Sequence, residues 1–269
     1  MSLDATAAAW LAGLRAGADV PPRRPRVAFR LGPHEVGSVE PEFLTRLTLG
    51  AAFDGAALLH RLEAEKGWQL DGEPTASLAL LADALRTAGL AHAWRNEQLA
   101  VPNAVGERIG TVERAVVRGL GITTQAVHLV GVAPDGRHWV QQRAFDKPND
   151  PGLWDTLMGG MVSAVDTVQT ALVRETWEEA GLQVDALQDV RPGGVVITRR
   201  PSDDGGGAGY VVERIDWFVA TLPEGVVPVN QDGEVARFEL MEEGALRERL
   251  LAGGFTTEAG LILGAYLGW

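Results

Sequence analysis

The chain has 269 residues, 46% of them hydrophobic and 22% charged, which suits one large or two ordinary domains of a globular protein. Its net charge of −12 excludes the broad basic surface of a nucleic-acid binder. With no cysteine it has no disulfide framework, thiolate metal site or cysteine nucleophile.

No apolar run reaches the roughly 18 residues that a membrane helix needs, and the N-terminus, which carries Asp4, lacks the charged-then-apolar pattern of a signal peptide. A reducing cytoplasm is therefore the expected compartment, with neither membrane nor nucleic acid as partner. A phosphorylated small molecule remains compatible with the negative charge, because a bound cation inverts the local charge logic.

Residues 2–17 read as a helix, with Ala7, Trp10, Leu11 and Leu14 on one apolar face. Val20 to Arg26 holds three prolines and three arginines and should be extended. A strand is expected over Val27–Leu31, then a turn at Gly32-Pro33 and a partner strand at Val36–Val39. Pro41 to Leu49 starts as a helix, and Ala56 to Lys66 reads as an amphipathic helix ended by Gly67. Thr75 to Ala88 is the clearest helix of this half, capped by Thr75 or Ser77, with Leu78, Leu81, Ala82 and Leu85 inward and Gly89 at its end. Trp94 and Glu97 to Val101 follow as short paired strands.

The pattern then changes. Gly121 to Pro134 is an apolar strand, Asp135-Gly136 a hairpin turn, and His138 to Arg143 the returning strand. Val168 to Ala180 reads as a helix, with Thr167 as N-cap and Gly181 just past its end. Strands are expected at Leu187–Arg191, Val195–Arg200, Tyr210–Ala220 and Glu234–Leu240. Ser202 to Gly209 reads as a flexible hairpin loop, and Glu243–Ala252 and Thr257–Tyr266 as helices. This order points to a mixed sheet between helices.

Chemistry concentrates on the helix at 168–180. Glu175, Glu178 and Glu179 stand at i, i+3 and i+4, so their carboxylates share a face. Each like-charged pair costs about 0.2–0.5 kcal/mol, and acids in the last turn oppose the helix dipole at about 0.3–1 kcal/mol each. Arg174 or a hard divalent cation would offset this, and Mg²⁺ suits carboxylate, water and phosphate oxygens. For a bare E-x-x-E-E pattern a solvated acidic face is the simpler reading.

The full spacing is more specific. Gly160, five residues, Asp166, seven residues, Arg174-Glu175, two residues, Glu178-Glu179, one residue, Gly181-Leu182 resembles the Nudix box, G-x5-E-x7-R-E-U-x-E-E-x-G-U. Asp166 replaces a Glu of the pattern, Thr176 an aliphatic residue, and Val165 a frequent Gly. Glu113-Arg114, Gly119, Gly121-Ile122, A-V-H-L, W-V-x-x-R at Trp139–Arg143, Lys147, Pro151-Gly152 and W-D-T-L-M-G-G at Trp154–Gly160 resemble one Nudix branch. That branch is described as thiamine-pyrophosphokinase-related, and the F-T-T-E-A-G-L-I-L tail at Phe255–Leu263 is similar to it, with Thr257 and Glu258 in place of the usual Pro and Asn.

The resemblance implies an α/β (α+β) protein. A Nudix α/β/α sandwich with a mixed sheet occupies 119–269, behind a small α+β N-terminal domain at 1–118. It also implies an Mg²⁺- or Mn²⁺-dependent pyrophosphohydrolase acting on a small-molecule diphosphate, with thiamine diphosphate or an oxidised analogue as the expected substrate. A nucleotide-type diphosphate such as ADP-ribose or a dinucleotide, and a non-catalytic ligand sensor, are the alternatives. Glu178 and Glu179 are the first-choice metal ligands, with Glu175 as ligand or base, the Gly160 carbonyl, and Glu234 (or Asp232) from a later loop. Arg174 would orient Glu175. Arg143, Lys147, Trp154 and Arg199 are the substrate-binding candidates. Arg200 is an equal of Arg199, and Trp94 and Trp217 are further stacking candidates. His128, alternating with apolar residues, is expected to be structural. The implied assembly leaves room for a homodimer.

Overall fold

A computed structural model describes residues 3–48, 58–62, 67–91 and 93–269. The first part comprises α1 (Leu3–Ala18), β1 (Val27–Leu31), β2 (His34–Val39), α2 (Thr45–Thr48), β3 (Leu59–Leu62), β4 (Gly67–Leu70), α3 (Pro74–Thr87), β5 (Gln98–Pro102) and β6 (Arg108–Glu113). Four strands form a sheet in the order β2-β1-β4-β3, and β5 and β6 pair separately. Phe29, Leu31, Leu70, Leu78, Leu81, Leu85, Leu99 and Val112 close a core that runs on into Val116, Val117, Leu120 and Ile122.

Two expectations change here. Leu59–Leu62 is a strand rather than part of a helix, because antiparallel pairing with β4 from Leu59↔Leu70 to Leu62↔Gly67 claims its backbone. The remainder of that expected helix, apart from Leu58, lies outside the described residues. The α3 cap is Glu73, whose carboxylate accepts from Thr75 N at 3.3 Å and Ala76 N at 2.7 Å. Pro74, with its preset φ and no N–H to satisfy, opens the helix and moves the cap one residue ahead of it.

The second part comprises β7 (Thr124–Val132), β8 (His138–Arg143), β9 (Trp154–Asp155), β10 (Met158–Met161), α4 (Val168–Ala180), β11 (Gln188–Ser202), α5 (Asp204–Gly207), β12 (Gly209–Thr221), β13 (Val235–Met241), α6 (Glu243–Leu251) and α7 (Thr257–Tyr266). The sheet runs β11-β12-β7-β8-β13. β7 is parallel to β12 over its whole length, but only its last residues, Gly131 and Val132, pair with β8. Its earlier residues, Ala126 to Leu129, pair with β10, while β9 pairs with β8. The sheet is thus forked between β7 and β8, and the fork opens a crevice.

Alternation along the strands fills both faces. Val127, Leu129 and Ala220 pack on Ala171, Leu172 and Ala180 of α4. Ala126, Val130, Ile215 and Val219 pack on Leu246 and Leu250 of α6 and Ala259, Ile262 and Leu263 of α7. Each large apolar side chain buried this way contributes about 1.5–3 kcal/mol. The result is an α/β/α sandwich with a mixed sheet.

β11 is one long strand where two were expected. The expected break coincides with register irregularities between Gln188 and Gly194. The Ser202–Gly209 segment is not a loose loop: it contains the turn α5, and Gly205 at φ +64° lies against the Phe43 ring. The two parts are stitched together. Ser38 N donates to Leu120 O at 3.0 Å, Ala164 N to Gln98 O at 2.7 Å and Val20 N to Arg199 O at 2.8 Å. The Tyr210 hydroxyl donates to Val20 O at 2.9 Å. Among the described residues no helix is long and apolar enough to cross a membrane.

Candidate active site

α4 forms where its local sequence demands. Thr170 N donates to Thr167 Oγ1 at 3.2 Å while Thr167 N donates to Thr170 Oγ1 at 2.8 Å, a reciprocal cap. Gly181 ends the helix at φ 64°, a left-handed conformation suited to glycine. The helix has no basic residue in its last turn, so Glu178 and Glu179 meet the unfavourable end of the dipole without local relief.

Arg174, one turn earlier, supplies that relief. Its Nε donates to Asp166 Oδ2 at 2.9 Å, and a single Nη1 reaches Glu175 Oε1 at 2.8 Å and Glu178 Oε2 at 2.9 Å. The Glu175 and Glu178 carboxylates are therefore neighbours. Asp166 also accepts from Ser163 Oγ at 3.0 Å and Thr170 Oγ1 at 3.1 Å. Burial alone would raise its carboxyl, but the Arg174, Ser163 and Thr170 bonds outweigh this and hold it below the usual range. Asp166, at the position where the box has Glu, braces Arg174 and does not line the main cavity.

Glu179 is 3% exposed. Its Oε2 accepts from Gln141 Nε2 at 2.8 Å and Gly159 N at 3.0 Å. Burial nevertheless pushes its carboxyl up to about 8, and burial pushes Glu175 up to about 7 against the pull of Arg174. Two glycines make room for Glu175 and for His128. A Cβ on Gly160 would stand 2.1 Å from the Glu175 carboxyl carbon, and one on Gly159 would stand 2.4 Å from the His128 ring.

The crevice widens into a cavity of about 700 Å³. Glu175, Glu178, Glu179, Arg174 and Gly160 line it, and so do Arg143, Lys147, Asp232 and Glu234 from the far side of the fork. Lys147 is ion-paired with Glu234, whose N donates to Asp232 Oδ1 at 2.8 Å. Arg143 donates to Asn149 O at 3.1 Å, and its Nη1 is 3.5 Å from Asp155 Oδ2.

Two substrate-binding candidates fall elsewhere. Trp154 is buried in the core, with Arg237 and Arg249 over its ring at 5.1 and 4.6 Å, and does not reach the cavity. Arg199 points away, its guanidinium 3.9 Å from Asp19. The next residue faces the cavity instead, because successive strand side chains alternate. Arg200 lines it, held by Glu258 at 2.6 Å. Trp94 lies against Arg86, and Trp217 is buried under Gly193. His128 is buried, with Nδ1 2.9 Å from Thr156 Oγ1, and it also lines the cavity. Sequence reasoning missed Gln141, Asp155, Arg114, Arg118 and Glu213. Arg114 and Asp155 stand in the sequence only as part of the family resemblance, and alternation puts Gln141 on the α4 side of β8, opposite Val140, which an apolar pattern does not reveal because both faces of the strand are covered.

Among the described residues no three carboxylate or imidazole groups stand as a ready metal cage. Arg174 ties up Glu175 and Glu178, and Gln141 with Gly159 ties up one oxygen of Glu179. The donor set still fits a hard divalent cation. All the donors are oxygens, two of the carboxyls are desolvated beyond what their partners compensate, and Gly160 leaves the space that the Glu175 carboxylate fills.

A NUDIX domain model matches residues 123–257. Nudix hydrolase 24, chloroplastic, of Arabidopsis thaliana is 31% identical over 175 residues, which are 63% of this chain and 46% of that protein. The uncharacterized protein YJR142W of Saccharomyces cerevisiae is 27% identical over 166 residues, 55% of this chain and 46% of that protein. The matched region thus spans about half the length of these relatives. The crystal structure of DR0079 from Deinococcus radiodurans superposes with a TM-score of 0.50 at 22% identity, covering 63% of this chain and 99% of that one, a likeness of fold.

Proposed function

The chain belongs to the Nudix family, and from that premise we propose that it is a divalent-metal-dependent hydrolase that splits a diphosphate. The proposed substrate is thiamine diphosphate or an oxidised analogue. Water adds to one phosphorus, the bridging P–O bond breaks, and the products are the monophosphate and inorganic phosphate. We also assign 1–118 to a front domain and 119–269 to the catalytic one.

One observation carries this reading: a single cavity brings the α4 carboxylates Glu175, Glu178 and Glu179 opposite Arg143, Lys147 and Glu234. Glu178 and Glu179, with Glu175, the Gly160 carbonyl and Glu234, would hold Mg²⁺ or Mn²⁺. When bound, the cation supplies charge neutralisation and acidifies a water. Arg143 and Lys147 hold the phosphates. Arg174 fixes Glu175 and Glu178, and Asp166 fixes Arg174. Glu175, with its carboxyl near 7, either joins the ligand set or takes the water's proton, since a base works best when its pKa lies near the working pH.

Support for a cationic head group comes from Glu213 on β12. It lines the cavity and takes a hydrogen bond from the Thr124 hydroxyl at 3.1 Å; burial and Glu258 raise its carboxyl against the pull of Arg118, so a further cation beside it would stabilise the ionised form. Such a group complements a thiazolium ring.

The test is phosphate release with Mg²⁺ and product identification on thiamine diphosphate, its oxidised forms, ADP-ribose and dinucleotides, for the wild type and Glu179→Gln. Turnover that needs metal and drops by at least about a hundredfold in the variant supports the hydrolase. Absent turnover across the panel favours a ligand sensor, turnover that needs no metal overturns the metal assignment, and preference for ADP-ribose overturns the thiamine assignment.

A further inference from the structure

The cavity is not built by the family-matched residues alone. Residues 123–257 carry the match, yet Arg23, Glu97, Arg114 and Arg118 also line the cavity. Arg114 opens a short 3₁₀ turn, Arg114–Val116, directly after β6. Arg118 follows on the segment that leads into β7.

These side chains are held in place. Arg114 Nη1 donates to Glu97 Oε2 at 2.7 Å, and Arg114 N donates to Glu97 O at 2.8 Å. Arg118 Nη1 donates to Asp204 Oδ2 at 3.2 Å, and its carbonyl accepts from Tyr210 N at 2.8 Å and Gly121 N at 3.1 Å. Arg23 Nη1 donates to Asp203 at 2.6 Å. A narrow recess of about 40 Å³ continues between Arg114, Arg118, Asn149 and Asp204. A guanidinium has five N–H donors. Among the described residues, one side-chain bond each fixes Arg114 and Arg118 and leaves the other donors to the cavity.

Among the described residues no Phe, Tyr or Trp lines either the cavity or the recess. A ligand there is read by hydrogen bonds rather than by stacking. The wall alternates fork-shaped donors with carboxylate acceptors. It therefore matches a head group that carries both acceptors and donors, and it offers little to a bare phosphate that the Arg143 and Lys147 end does not already offer.

We propose that Arg114 and Arg118, supplied from outside the Nudix match, form a head-group subsite with their partners Glu97 and Asp204 and are specificity-determining residues. The proposal extends the hydrolase reading, since it names what holds the non-reacting end of the substrate. It gives the front part of the chain a role at the active site.

The test is equilibrium binding, not turnover. Calorimetry on the full chain compares thiamine monophosphate, AMP and ribose 5-phosphate with inorganic phosphate, for the wild type, Arg118→Gln, Arg114→Gln and Arg118→Lys. The wild type should bind at least one of the three headed ligands ten times or more tighter than phosphate. Arg118→Gln should reduce that ratio about tenfold, the usual cost of one charge-assisted hydrogen bond, and Arg118→Lys should recover part of it. Arg114→Gln gives the same reading if Arg118→Gln fails to fold. The proposal is overturned if no headed ligand outbinds phosphate, or if the folded variants weaken phosphate and headed ligands alike. A wild type that shows the selectivity but hydrolyses no diphosphate would sink the hydrolase reading and leave the subsite standing.

Discussion

Gln141 Nε2 donates to Glu179 Oε2 at 2.8 Å, and both side chains are buried. The bond crosses the fork of the sheet, from β8 to α4, and fixes the carboxylate proposed above as a metal ligand. With Gly159 N on the same oxygen, Oε1 takes no hydrogen bond from the described residues.

Replacing Gln141 tests that relationship. Gln141→Leu removes the donor and leaves a buried carboxylate with one fewer partner, at a cost of about 1–3 kcal/mol. Mn²⁺ affinity, read by calorimetry without substrate, should fall about tenfold while circular dichroism stays that of the wild type. Unchanged affinity would show that Glu179 does not depend on Gln141.

Gly160→Ala should displace Glu175, because the added methyl would stand 2.1 Å from its carboxyl carbon. Overpacking of this kind costs about 1–3 kcal/mol. Metal affinity and kcat should both fall, with the melting temperature lowered by a few degrees. A variant with wild-type metal binding would remove Gly160 from the site.

The pH dependence of the metal-free protein has a definite sign. Glu175 and Glu179 are raised by burial from 4.5 to about 7 and about 8. The folded state therefore binds these protons more tightly than the unfolded chain. The stability this gives is fully present below the unfolded value and is lost as pH rises through 7 and 8. In EDTA the melting temperature should fall between pH 6 and pH 9. Added Mg²⁺ should raise it more at pH 9 than at pH 6, since metal needs the ionised carboxylates. At the acid end the sign reverses. Asp166 and Glu234, held low by Arg174 with its neighbours and by Lys147 against the effect of burial, lose their contribution as pH falls through their folded values. Equal melting temperatures in EDTA at pH 6 and pH 9 would contradict the burial argument.

Trp154→Phe should act on stability alone. The indole is buried in the core with the Arg237 and Arg249 guanidiniums over its ring, and losing part of it should cost about 1–3 kcal/mol. Chemical denaturation measures that loss, and KM should hold at the wild-type value. A raised KM with unchanged stability would return Trp154 to the substrate site.

Short-range chemistry was legible in the order of residues alone. α4 runs from Val168 to Ala180 as read, because the Thr167 cap, a stretch free of Gly and Pro, and Gly181 are all local. α7 likewise spans Thr257–Tyr266, and the shared face of Glu175, Glu178 and Glu179 follows from helical period alone. Tertiary structure decided whatever depends on a distant partner. Leu59–Leu62 became a strand because β4 offered hydrogen bonds that helical periodicity could not foresee. Arg200 rather than Arg199 met the cavity because strand register, set by β12, chose the face. Trp154 went to the core, Asp166 became the brace of Arg174, and Arg114 and Arg118 arrived from outside the motif. In each case the deciding contact joins residues that the sequence keeps apart, and only packing shows which of them meet.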